Sequence, residues 1–305
     1  MQTIRQPLVF VDTHSQAPQT ALGLAISHAK AHQAPLTIVD AIDDSSWARV
    51  FAGPLLQDIH QRMVEEKDAA LRTAVTRAKE QGVSASAELL HGSPAFAIIH
   101  QVLQGGHDIV YKTMSGDPDV RGRLLGNTAR RLLHKCPGAV CLVHPKFQHV
   151  GRIVAAIGPE TEAGEGREMN TEILDTSRML APSPADVHAI QSWELYGATM
   201  LHGHMSSDDL MAQARAHYDK AYEQFKAICA RAQLQPEQIH LLEGGREDVI
   251  SEYADQAASD LLVLGSYARS GLRGMLLGNT AEMLLDNLRC SALTLKTADF
   301  ISPLA

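Results

Sequence analysis

The sequence predicts an α/β protein of two tandem domains, each a five-stranded, mostly parallel sheet with helices on both faces. Short apolar segments such as PLVFV alternate with longer segments whose apolar residues follow helical spacing. Strands that are apolar throughout are typical of parallel sheets covered on both sides. A length of 305 residues suits two domains of ordinary size, and a long internal repeat relates the two halves.

The repeat is clearest in the nonapeptide RGRLLGNTA at 121–129, which returns as RGMLLGNTA at 273–281, an offset of 152 residues (273 − 121). At the same offset LLHGSPAFAII aligns with LLEGGREDVI, and Gly92 aligns with Gly244. A repeat of this length indicates duplication of a whole domain. The predicted domains are residues 1–147 and 148–305.

Each copy then divides into alternating elements. In the first copy the predicted strands are 7–11, 36–42, 83–90, 107–111 and 139–143, and the predicted helices are 18–34, 54–82, 94–104 and 126–135. In the second copy the predicted strands are 152–157, 185–190, 239–243, 260–264 and 292–296, and the predicted helices are 164–181, 208–234, 246–258 and 278–288. Ligands of such sheets bind beyond the carboxyl ends of the strands.

Composition excludes several classes of protein. Apolar residues make up 45% of the chain and charged residues 20%, the balance of a globular protein with a real core. A net charge of −8 argues against binding to nucleic acid or to an anionic membrane. No segment approaches the roughly 18 consecutive apolar residues of a membrane span, and the N-terminus does not read as a secretory signal. The four cysteines are scattered without CxxC spacing, which favours a cytoplasmic location.

The loop after the fourth strand of the second copy, GSYARSGLRGMLLGNTAE, is the first candidate site. Glycines let a backbone approach a ligand closely, and a helix N-terminus attracts phosphate. The alternative is an ordinary, well-formed helix start. The candidate phosphate-binding residues of this loop are Gly265, Ala268, Arg269, Arg273, Gly278, Asn279 and Thr280.

The spacing Gly265-x2-Ala268-x9-Gly278-Asn279, followed by CSALTLK, resembles the signature of the universal stress protein family, G-x2-G-x9-G-(S/T). HGSPAFAII and GGREDVI resemble another segment of that family, and LGNTAE is most similar to its tandem, UspE-type members. The resemblance implies two Rossmann-like domains of the adenine nucleotide alpha hydrolase type. It also implies an internal pseudo-dimer paired through AVCLV and ALTLK, with further self-association, as a homo-oligomer, left open.

ATP-binding members of the family hold the triphosphate on the glycine loop and the adenosine near an Asp that ends the first strand. In the second copy that Asp is replaced by Gly158, while the loop is nearly complete. In the first copy Asp12 is present, but Thr113 replaces the leading glycine. The matching residues of the first copy are Asp12, Gly116, Gly126 and Asn127, with Asp117 and Asp119 adding negative charge. The resemblance therefore implies weak or absent ATP binding, with the second copy the better candidate.

The two tryptophans lie just after the predicted second strand of each copy. Trp193 is followed by apolar residues that include Tyr196 and Met200, and such a segment can line a pocket for an apolar ligand. The alternative is that these side chains fill the end of the sheet or a domain interface.

No enzyme active site emerges from the sequence, and no catalytic residue is predicted. His202 and His204, with His188 and His240 elsewhere, lack a partner at a typical metal-ligand spacing, so no metal is predicted. The segment EEKDAALRTAVTRAKE reads as a solvated helix face. The predicted function is a non-enzymatic stress-response protein that binds a small molecule or partners. The alternatives are a nucleotide sensor or slow ATPase, a carrier of an apolar or acylated metabolite, and an interaction scaffold.

Overall fold

The structure of the chain is a computed structural model that describes residues 3–13, 19–43, 54–115, 125–161, 164, 166–194, 206–266 and 284–305. Its contacts divide the chain into two compact units. The larger unit comprises Thr3–His149 and Ser266–Ala305, and the smaller unit comprises Val150–Gly265. The boundary between residues 147 and 148 that the repeat suggests stays a prediction about the duplicated unit of sequence.

The larger unit is built on five parallel strands in the order β3-β2-β1-β4-β5. These strands are β1 (Pro7–Phe10), β2 (Leu36–Ile42), β3 (Ala85–His91), β4 (Ile109–Thr113) and β5 (Ala139–Val143). The helices between them are α1 (Thr20–Ala31), α2 (Pro54–Glu80), α3 (Pro94–Gly105) and α4 (Asn127–Lys135). The alternation of strands and helices predicted for the first copy is confirmed.

Burial explains why the inner strands are apolar throughout. Every residue of β1 and of β5 is buried, because helices cover both faces of the sheet. Strand β3 lies at the edge and is largely exposed, with only Leu90 fully buried. Polar residues are tolerated there because an edge strand has a neighbour on one side only.

The last strand of the chain joins the same sheet. Strand β10 (Ser291–Lys296) runs antiparallel to β5, with Leu293 opposite Cys141. All six residues of β10 are buried. The pairing between AVCLV and ALTLK that the family resemblance implied is therefore confirmed.

The smaller unit repeats the pattern with four parallel strands in the order β9-β6-β7-β8. These are β6 (Ile153–Ala156), β7 (Val187–Trp193), β8 (Ile239–Glu243) and β9 (Leu261–Ser266). Its helices are α5 (Arg167–Leu180), α6 (Ser207–Arg231) and α7 (Arg246–Gln256), with two short 3-10 turns at Pro184–Asp186 and Pro236–Gln238. Of the last predicted helix, residues 284–287 are helical, and its earlier part lies outside the described residues.

One boundary in this unit was predicted wrongly. The second strand was expected to end at 190, with Trp193 in the following loop. Strand β7 instead continues to Trp193, because Gln191, Ser192 and Trp193 each pair with a residue of β8. Trp193 is thus the last residue of a strand.

The repeated glycines have a backbone cause. Gly92 follows β3 with φ 109°, and Gly244 follows β8 with φ 125°. The amide of Gly92 donates to Ile42 O on β2 at 2.8 Å, and the amide of Gly244 donates to Trp193 O on β7 at 3.0 Å. Each bond holds the turn against the neighbouring strand. A side chain is strained at such φ values, and the turn itself accounts for both glycines.

None of the described helices is long and apolar enough to cross a membrane.

Candidate functional site

The first copy places its candidate site where three parallel strands end together. Asp12 lies two residues beyond β1 and is half-buried. Strands β2 and β4 flank β1, so their carboxyl ends reach the same edge of the sheet. This is the edge at which ligands of such sheets bind, and Asp12 is positioned there as the sequence predicted.

Lys112 is a buried cation at this edge that the sequence analysis missed. It lies on β4, is only 2% exposed, and its Nζ donates to Thr113 O at 2.8 Å and to Ser115 Oγ at 2.7 Å. Burial lowers the pKa of its ammonium group, and the negative charge of Asp12 opposes that shift. The lysine within the apolar run IVYKT was the available signal, since an unpaired charge is costly in a strand buried on both faces.

A buried ion pair lies beside Asp12. Asp40, on β2, accepts bonds from Lys67 Nζ at 2.9 Å to each carboxylate oxygen, and both side chains are nearly inaccessible. Thr13 adds bonds from its amide at 3.2 Å and from its hydroxyl at 2.6 Å. The interpretation of EEKDAALRTAVTRAKE as a wholly solvated face was therefore wrong for Lys67. Its ammonium points into the fold because Asp40 is there to receive it.

The described residues that flank the loop after β4 make contacts within the first copy. Thr113, which replaces the leading glycine of the signature, accepts a bond on Oγ1 from Ala21 N at 3.1 Å at the start of α1. Gly126 precedes α4 and Asn127 is its first residue. A Cβ added at Gly126 would lie 3.6 Å from Ser115 Cβ, so the loop and the helix start are close together. The described part of this site thus brings Asp12, Lys112, Ser115 and Gly126 to one edge.

In the second copy, a side chain of the chain itself closes the end of β6. Gly158, which stands in place of the Asp, donates its amide to Asn170 Oδ1 at 3.0 Å, and Asn170 Nδ2 donates back to Gly158 O at 2.8 Å. Asn170 is fully buried. Glu160 is close by and is paired with Arg231 and, at 3.6 Å, with Arg167. An amide closes this strand end, and the carboxylate of Glu160 beside it is paired with two arginines.

Gly265 matches the leading glycine of the signature, and its backbone approaches a helix of the same unit. A Cβ added there would lie 2.5 Å from both Cγ and Sδ of Met169, and 3.3 Å from Ile173 Cδ1. Both residues belong to α5. Close packing against this helix therefore favours a glycine at 265, whatever the following loop binds.

Gly265→Ala is expected to destabilise the smaller unit by about 1–3 kcal/mol, because the new methyl group overpacks the contact with Met169. Hydrogen exchange of the β9 amides would report the loss. Adding Met169→Ala should recover much of it. Gly158→Ala is the matched control, since no atom lies within 4 Å of its added Cβ. Equal stability of the Gly265→Ala and Gly158→Ala variants would show that packing does not explain Gly265.

Trp193 lies at the carboxyl end of β7 against α6. Its ring meets Tyr218 edge-on with centroids 5.3 Å apart, and the ring of His217 lies at 6.0 Å. Tyr222 stacks on Tyr218 at 6.0 Å. Trp193, Tyr218 and Tyr222 are all half-buried, so they form a partly accessible aromatic row. Sequence reasoning missed the two tyrosines because they lie on a helix that begins 14 residues later (207 − 193).

Two of the histidines considered as metal ligands, His188 and His240, lie side by side. His188 Nδ1 lies 3.1 Å from His240 Nε2, and the rings are stacked. Burial lowers the pKa of both imidazoles, and Arg152 lowers each of them further. Within the described ranges, no group of three or more His, Cys, Asp or Glu residues is arranged to hold a metal ion.

Most of the predicted phosphate loop lies outside the described residues. The predicted site residues that lie outside the described residues are Gly116, Tyr196, Met200, Ala268, Arg269, Arg273, Gly278, Asn279 and Thr280, together with Asp117, Asp119, His202 and His204. Their roles stay predictions.

Comparison with known proteins bears on this arrangement. The model of the "Universal stress protein family" matches two regions of the chain, residues 4–144 and 178–296. The first region contains Asp12 and Lys112 and the second contains Trp193 and Gly265, whereas Gly158 and Asn170 lie between the two matched regions.

Relatives named "Universal stress protein E" match across both copies. The protein from Salmonella typhi is 24% identical over 249 residues, 80% of this chain and 79% of its own. That from Escherichia coli (strain K12) is 26% identical over 216 residues, 70% of this chain and 68% of its own. The crystal structure of a putative universal stress protein from Pseudomonas aeruginosa UCBPP-PA14 has a TM-score of 0.74 at 24% identity, covering 97% of this chain and 94% of the other. That likeness concerns the fold.

Proposed function

Since the chain belongs to the universal stress protein family, we propose that it is a non-enzymatic stress-response protein that acts by binding and does not hold ATP tightly. The observation that carries this proposal is that the chain's own side chains already engage the polar groups beside Asp12 and at the end of β6. Lys67 is paired with Asp40 in the first copy, and Asn170 closes onto Gly158 in the second. Family membership supports the stress-response role.

Electrostatics and chemistry support weak nucleotide binding. In the second copy the carboxylate expected beside the adenosine is missing, and Glu160 is engaged by Arg231 and Arg167. In the first copy Asp12 remains, with the ammonium of Lys112 among its neighbours.

Isothermal titration of the purified chain with ATP and Mg²⁺ should give either no saturable heat or a Kd well above about 1 μM. Gly278→Val tests any residual binding, because a side chain there would obstruct the predicted phosphate loop of the second copy. Asp12→Asn tests the first copy in the same way. A sub-micromolar Kd that Gly278→Val abolishes would favour the nucleotide sensor or ATPase instead.

A second candidate is a carrier of an apolar or acylated metabolite. The partly accessible aromatic row of Trp193, Tyr218 and Tyr222 favours it, since half-buried aromatic rings offer apolar area without a large polar cost. Native mass spectrometry of the same preparation separates the candidates. A bound apolar species would support the carrier, and a clean mass of the chain alone would count against it.

A further inference from the structure

Charge is distributed unevenly along the chain. Residues 120–159 contain seven Lys and Arg and no Asp or Glu, and residues 89–107 contain none of the four. The remainder therefore holds 20 (27 − 7) Lys and Arg residues against 35 Asp and Glu. The helices α3 and α4 belong to the two acid-free segments, and they pack against each other. An acidic protein thus has two adjoining helices that contain no carboxylate of their own, although Glu88 and Asp286 contact them.

Phe96, Arg131 and Lys135 form the centre of the surface of these helices, hereafter the basic–aromatic face. Phe96 on α3 is 38% exposed, with Arg131 Cζ 5.4 Å and Lys135 Nζ 5.0 Å from its ring centroid. Both cations lie on α4, four residues apart. Arg130 on the same helix is paired with Asp286, whereas Arg131 and Lys135 make no ion pair with any carboxylate in the described ranges. Two like charges one turn apart repel each other. A pair of carboxylates from another molecule would relieve that repulsion.

The fold does not require these three side chains. At the repeat offset of 152, the positions of Phe96, Arg131 and Lys135 correspond to Asp248, Met283 and Asn287. The second copy folds with an acid in place of the aromatic ring and without either cation. A function other than folding therefore accounts better for the basic–aromatic face.

The matching counter-charge is present on α7. Asp248 and Glu252 are exposed and lie four residues apart, about 6 Å along the helix. Neither makes an ion pair with a described cation, although Glu252 accepts a bond from Gln256 at 2.9 Å. Arg131 and Lys135 have the same separation on α4. Two helices laid side by side can therefore pair both charges at once.

We propose that copies of this chain associate by docking α7 of one molecule on the basic–aromatic face of another, with Asp248 and Glu252 opposite Arg131 and Lys135. The partner is taken to be a second copy because the chain itself carries the acid pair at the complementary spacing. The contact is small and rich in charge, so the association is weak and sensitive to salt. It does not depend on what the strand ends bind.

Sedimentation velocity over a concentration series should show reversible self-association in low-salt buffer and its loss in about 0.5 M NaCl. Arg131→Glu/Lys135→Glu and Asp248→Lys/Glu252→Lys should each weaken the association by at least about tenfold. Mixing the two variants should restore it, because each supplies the charge that the other lacks. All substitutions are on exposed or half-exposed side chains, and far-UV circular dichroism checks that they fold.

Arg72→Glu/Lys79→Glu is the matched control, with the same change of charge on exposed positions of α2. It should associate like the wild type. A wild type that stays monomeric in low salt overturns the proposal, as does a mixture that fails to associate. Equal weakening by the α2 control would attribute the effect to net charge and would also overturn it.

Discussion

Lys67→Met is expected to lower the free energy of unfolding of the larger unit by about 3–5 kcal/mol. The substitution keeps most of the side-chain volume and removes the ammonium that neutralises Asp40. Asp40 is fully buried on β2, and the bonds from Thr13 cannot replace a cation. A buried carboxylate left without its counter-charge is among the costlier defects in a protein core. Urea unfolding, with hydrogen exchange of the β1 and β2 amides, measures the loss.

The matched control for this variant is Arg62→Met on the same helix. Arg62 pairs with Asp58 at 2.7 Å, but both side chains are largely exposed, so less than about 1 kcal/mol is expected. Lys67→Met/Asp40→Asn should recover part of the stability, because the uncompensated charge is gone. Equal effects of Lys67→Met and Arg62→Met would contradict a structural role for the buried pair.

Acidification from pH 6.5 to pH 4 is expected to cost the larger unit about 3 kcal/mol through His28 alone. His28 is buried on α1, and its Nδ1 lies 2.7 Å from the hydroxyl of Tyr111. Burial lowers the pKa of His28 from 6.5 to about 4, with a smaller effect from His32. Between these values the unfolded chain binds a proton that the folded chain excludes. Stability is therefore complete above pH 6.5 and is lost as the pH falls toward 4.

Comparing the wild type with His28→Gln isolates this effect. Glutamine can still bond to Tyr111 but does not titrate, so the variant should lose less stability over the same pH range. The carboxylates titrate in both proteins, so their contributions to the unfolding free energy cancel when the two curves are subtracted. Parallel curves of unfolding free energy against pH for the two proteins would contradict the assigned role of His28.

Much of the fold follows from local signals in the sequence. Strands β2, β5 and β8 were predicted at their observed bounds, because each is a short segment rich in apolar and β-branched residues that is followed by turn residues. The end of β7 was not predicted, since QSW is not apolar and its strand conformation comes from pairing with β8. That pairing is a long-range contact, which a short segment of sequence does not encode.

The candidate site was only partly predictable for a similar reason. Gly265 was found through the family signature and Asp12 through the family's carboxylate at the end of the first strand, and both concern positions along the chain. Lys67 and Asn170 reach the strand ends from helices, and each looks like an ordinary helix residue until the fold brings it to Asp40 or Gly158. Lys112 was the exception, since a charge inside an apolar strand is visible in the sequence.

The pairing of β5 with β10 has a consequence for synthesis. The 147 residues from 144 to 290 separate the two strands, so a ribosome needs roughly 7–30 s to make the intervening chain. During that interval, the edge of β5 is without its final neighbour and can accept a strand from another nascent chain. Chains that terminate before Ser291 would keep that edge permanently. Premature termination would thus convert an internal strand pair into a site for aggregation between molecules.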